Sequence, residues 1–129
     1  MRRLVTTVAA VFVSGVILSA HHSYTAFDRN RSVTVTGTVE QVRYANPHVV
    51  LTLRVPGEPS LTVTWGSLNQ LAYAGVTARM LKVGEQLTVT GSRALDPARH
   101  ELTLIRKVED PVHGWRWEGD RVVSTAGSR

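Results

Sequence analysis

The chain has 129 residues, no cysteine and a formal net charge of +5. Without cysteine there is no disulfide framework, no zinc–thiolate centre and no thiol nucleophile, so the fold must be held by packing alone. The length allows one domain with one modest core.

The first element is an export signal over residues 1–20. Arg2 and Arg3 give a positive start, Leu4 to Leu18 is largely apolar, and Ser19-Ala20 supplies small residues for cleavage. No second long apolar run follows, so no membrane span is expected once the signal is removed. Part of the positive charge leaves with it.

Residues 21–110 then read as β-strands with one short helix. Val33, Val35, Gly37 and Val39 alternate with threonines, the period-two pattern of a half-buried strand. The phase slips at Glu40-Gln41, which predicts a bulge, and Gly37 lets the strand bend. After the Ala45-Asn46-Pro47 turn, a second strand sets Val49, Leu51, Leu53 and Val55 on one face. A third carries Leu61, Val63 and Trp65 inward. Ser67 with Gln70 three residues later predicts a helix start, and Gly75 its end. A fourth strand holds Leu87 and Val89, and a fifth holds Leu102 and Leu104 and continues to Val108. The expected fold is all-β with one short helix, an OB-fold-like five-stranded Greek-key barrel, because the bent first strand and the helix position match that order. A five-stranded sandwich or open meander remains the alternative. Residues 111–129 are expected to be a tail, with Trp115 and Trp117 packed loosely on the barrel or Glu118-Gly119-Asp120 turning a small hairpin.

Histidine placement carries the chemistry. Cleavage after Ala20 would leave His21-His22-Ser23 at the start of the mature chain, where an amine and a ring nitrogen can chelate Cu(II) or another transition metal. His48 opens the second strand and His100 the fifth. In an OB-fold the loops before those strands flank one ligand face, so His21, His22, His48 and His100 form the candidate metal set, with Asn46 supporting the loop. The structural reading stands beside it: Asn46-Pro47-His48 as a plain turn, and His21-His22 as a polar chain start. His113 is expected to lie outside the set. No nucleophile elbow, paired carboxylates or phosphate loop is present, so no catalytic role is expected. The outward strand positions are threonines rather than aromatics, so nucleic acid is not an expected partner despite the basic charge.

His21-His22-Ser23 after a signal, the Val35-to-Val39 strand with its central glycine, and Asn46-Pro47-His48 opening a strand together resemble a family of small exported bacterial proteins known only as a domain of unknown function. Trp65, the Leu71-to-Gly75 helix end and the Leu81-to-Gly84 turn continue the likeness over about residues 20–108. The resemblance implies a periplasmic or secreted small β-barrel and supplies no activity. The expected role is a binding module for a small ligand or metal ion. The alternative is an envelope protein-interaction or accessory module without metal, using the threonine face or the tryptophan tail.

Overall fold

Valine alternating with threonine builds β1, Val33–Arg43, whose Val35 and Val39 are buried while Thr34 and Thr36 face outward. A computed structural model describes residues 24–125 of the chain. The expected bulge is present: pairing with β2 (Val50–Arg54) steps from Val39↔Leu53 to Gln41↔Thr52, leaving Glu40 extra. The extra residue bends β1 and lets it serve two neighbours. Its first half pairs with β4 (Gln86–Arg93), and its second half with β2.

β2 pairs with β3 (Leu61–Thr64), and β4 with β5 (Glu101–Asp110). The sheet closes where β3 meets β5 in parallel, Thr62↔Glu101 and Val63↔Leu102. The result is a closed five-stranded barrel in the order β1-β2-β3-β5-β4, with α1 (Leu68–Tyr73) between β3 and β4. That is the OB-fold order. Its interior holds fully buried Leu51, Leu53, Val63, Leu87, Val89 and Leu102. Each leucine or valine so buried contributes roughly 1.5–3 kcal/mol before conformational entropy is counted. Ser67 caps α1, its side chain accepting from the Gln70 N–H at 3.1 Å, and Gly75 leaves the helix with φ +95°. Among the described residues no helix is long and apolar enough to cross a membrane.

Beyond Asp110 the chain turns a hairpin at Glu118-Gly119-Asp120, and its tryptophans are not loosely packed. β6 (Trp115–Glu118) pairs with β5, and β7 (Arg121–Ser124) pairs with β6, so the hairpin extends the barrel wall. Trp115 and Trp117 are 9% and 4% exposed. Both therefore belong to the core. The physical reason is that β5 outruns the barrel and leaves an edge, and two tryptophans at a spacing of two fall on the same inward face. The Val122 N–H then donates to Ala74 O at 2.9 Å, tying the hairpin to the end of α1. Neither indole is displayed as a docking element.

β5 also bulges. Its pairing with β4 steps from Ser92↔Thr103 to Thr90↔Lys107, so three residues of β5 span what Gly91 alone spans on β4. Within the bulge Leu104 has φ +50°, a left-handed conformation that costs a non-glycine residue about 1–2 kcal/mol. A Cβ on Gly91 would lie 2.8 Å from the Thr103 carbonyl oxygen and 2.8 Å from Ile105 Cδ1. Gly91→Ala is accordingly expected to destabilise the fold by about 1–3 kcal/mol in urea titration, because a backbone oxygen has to move. Unchanged stability would show that the bulge yields freely.

Candidate functional site

The turn before β2 positions the first candidate. The Asn46 side-chain oxygen accepts from the Leu68 N–H at 3.1 Å, tethering the loop to the start of α1, and Arg43 donates to the Asn46 carbonyl at 3.2 Å. Asn46 is thus a structural tie that places His48. From there His48 lines a cleft of about 220 Å³ on the outside of β2, β3 and β5, with Thr62, Thr64, Trp65, Glu101 and Thr103. Phe27, from the segment leading into the barrel, forms another wall. Its neighbours hold it there: Asp28 N donates to Arg93 O at 3.1 Å and Leu95 N to Ala26 O at 2.9 Å. The Arg99 guanidinium stacks over the Phe27 ring at 5.4 Å. The Nδ1 atom of His48 is buried and has no hydrogen-bond partner among the described residues. A buried imidazole nitrogen without a partner is costly unless a ligand, water or ion completes it.

The other candidate histidines do not all join it. His21 and His22 lie outside the described residues. His100 is held at the opposite end of β3 from His48: its carbonyl accepts from Thr62 N, whereas Val49, next to His48, pairs with Gly66 and Trp65. At the rise of a β-strand this separates the two backbones by roughly 15 Å along β3. Two imidazoles on one ion need both nitrogens within about 2.1 Å of it. The expectation that His48 and His100 are neighbours is therefore corrected. Both loops do flank one face, but they reach different ends of it.

A second cluster forms around His113, outside the candidate metal set. Asp110 ends β5 and is 1% exposed. Its Oδ1 accepts from the Val112 and His113 N–H groups at 2.9 and 2.8 Å, and its Oδ2 lies 2.8 Å from His113 Nδ1. Beyond the ring, His113 Nε2 lies 3.8 Å from Glu85 Oε1. One ligand atom from each of the three residues falls within 4.8 Å of the others, a set that can hold a metal ion. Burial alone pushes the Asp110 carboxyl up. The backbone and ring hydrogen bonds of His113, the Val112 N–H and the charge of His113 outweigh it, so the group lies below its ordinary value. The Asp-x-x-His spacing was a legible sign of an Asx-type turn, but nothing in the sequence placed Glu85 beside it.

The outward threonines are engaged with one another. Thr34 and Thr90, and likewise Thr36 and Thr88, bond across β1 and β4 at 2.9 Å. Such pairs stiffen the sheet.

A family model described as a family of unknown function, DUF6152, matches residues 9–103. The match includes the positions of all four candidate histidines and stops before Asp110 and the tryptophan hairpin. No curated protein matches the chain.

Proposed function

The chain belongs to the family of unknown function DUF6152, and from the signal-like sequence of residues 1–20 and the cleft on the barrel we propose that it is an exported binding module acting in the periplasm or outside the cell. Its ligand face is the cleft on β2, β3 and β5, and a transition metal such as Cu(II) is held at the His48 end. The observation that carries this reading is His48 lining a cleft walled by Phe27, with its Nδ1 buried and unpartnered among the described residues. Four residues separate His22 from Phe27, three of them in the 3-10 turn Tyr24–Ala26, a reach of at most about 13 Å that keeps His21 and His22 near the Phe27 wall of the His48 cleft. An imidazole joined by an N-terminal amine and ring suits the tetragonal nitrogen preference of Cu(II). Each residue acts as a ligand only. His100 takes no part, and Asn46 holds the loop.

The test is a pair of measurements. Mass spectrometry of the exported protein should find His21 as the first residue. Cu(II) titration, followed by absorption and electron paramagnetic resonance, should then show His48→Ala binding at least tenfold more weakly, with His100→Ala like the wild type. Equal, weak binding by the wild type and His48→Ala overturns the metal reading. The cleft without metal is then the better description.

A further inference from the structure

Two turns from distant parts of the chain bring a histidine and a glutamate together at one end of the barrel. Glu85 stands just before β4, in a turn that β1 fixes with two hydrogen bonds: Gly84 N donates to Val39 O, and Val39 N to Glu85 O, both at 2.8 Å. His113 belongs to the turn between β5 and β6, where Gly114 N donates to Asp110 O at 3.0 Å. None of Glu85, Asp110 and His113 lines the His48 cleft.

The imidazole is held from behind. Asp110 is 1% exposed, and its carboxyl lies below its ordinary value, so it is ionised near neutrality. A carboxylate can only accept, so His113 Nδ1, 2.8 Å from Asp110 Oδ2, carries the proton. In the neutral ring Nε2 is then a bare acceptor, and it lies 3.8 Å from Glu85 Oε1. Two acceptors are thus neighbours across a gap too long for a hydrogen bond, and a cation between them would bond to both. An imidazole whose other nitrogen donates to a carboxylate is the arrangement that orients metal-ligating histidines.

The spacing and the donor types select the ion. Zinc bonds of about 2.0–2.2 Å to nitrogen and oxygen place the two ligand atoms about 3.4 Å apart on a tetrahedral ion. The observed 3.8 Å needs a closing of only about 0.4 Å, and the His113 side chain, 53% exposed, has room to make it. One imidazole beside one carboxylate suits a borderline ion rather than Mg(II), which takes oxygen ligands. We propose that Glu85 and His113 form an open site for Zn(II), with His113 binding through Nε2, Glu85 through its carboxylate, and Asp110 holding the ring. Two protein ligands leave the remaining coordination positions to water. The ion joins the turn before β4 to the turn before β6, and so fastens the tryptophan hairpin to the barrel.

The experiment titrates Zn(II) into the exported protein, labelled with nitrogen-15, and follows the ring nitrogens of His113. That ring reports its own site, so metal at other histidines does not enter the reading. His113 Nε2 should shift saturably with Zn(II), and Mg(II) at the same concentration should leave it unmoved. Glu85→Gln, which keeps the side-chain shape, should weaken the affinity read at His113 at least tenfold. His48→Ala should leave that affinity unchanged, which separates this site from the Cu(II) reading. His113→Gln, an exposed turn position, should fold normally and lose the zinc-induced shifts of backbone amides 112–114. An unshifted His113 ring would mean a plain ion pair with Glu85 and would overturn the proposal. So would wild-type affinity in Glu85→Gln, weakened binding in His48→Ala, an equal response to Mg(II), or amide shifts that persist in His113→Gln.

Discussion

A chain ended after Asp110 is expected to lose its cooperative unfolding transition at 25 °C. The deletion removes β6 and β7, and with them Trp115 and Trp117 from the core cluster. Truncating a single buried tryptophan to alanine costs about 3–5 kcal/mol. Total stability for a domain of this size is about 5–15 kcal/mol, so losing two such rings consumes most of it. The deletion also bares the edge of β5 from Lys107 to Asp110 and frees the Ala74 carbonyl at the end of α1. Trp117→Ala alone should shift the urea midpoint by an amount equivalent to about 3–5 kcal/mol while keeping a sigmoidal transition. Near-UV circular dichroism of the truncated chain would check the larger claim. A native-like spectrum with an unshifted midpoint would return these residues to the status of a loose tail.

Asp110→Ala is the second large effect, with an expected loss of about 2–4 kcal/mol. Its buried carboxylate accepts three hydrogen bonds, two from the backbone of the β5–β6 turn and one from the His113 ring. Bonds to a charged acceptor are worth more than neutral ones, and alanine leaves the turn N–H groups unsatisfied. Asp110→Asn should be milder, since an amide oxygen still serves the backbone donors. The pH dependence follows from the lowered carboxyl. Its native value lies below the ordinary 3.8, so its contribution is complete above pH 3.8 and is lost as pH falls through the native value. The stability gap between wild type and Asp110→Asn should thus narrow as pH falls below 3.8. A gap that stays constant down to pH 2 would show that the charge contributes nothing.

The same residues show what a sequence can and cannot disclose. The Glu40 bulge was legible because a slip of one residue breaks a period of two, and that break needs no partner to be seen. The Ser67 cap and the Gly75 exit were legible because their hydrogen bonds and φ requirements are local. The turn of the tryptophan hairpin was legible at Glu118-Gly119-Asp120, but the burial of its rings was not. Four-residue strands with one turn between them carry little periodicity, and their burial depends on an edge that exists only once β5 has paired.

The candidate sites divide along the same line. His48 could be picked out as a residue opening a strand, but only the tether from Asn46 to α1 and the wall from Phe27 make its cleft. Its separation from His100 is a matter of register along β3. Glu85 meets His113 across 28 positions of chain that no spacing rule connects. Local order, the all-β class, the helix position and the absence of thiol chemistry belong to the sequence alone, because each rests on periodicity, capping or composition. Which side chains share a cleft or a cluster was decided by tertiary structure, since that is set by strand register and closure rather than by neighbours in the chain.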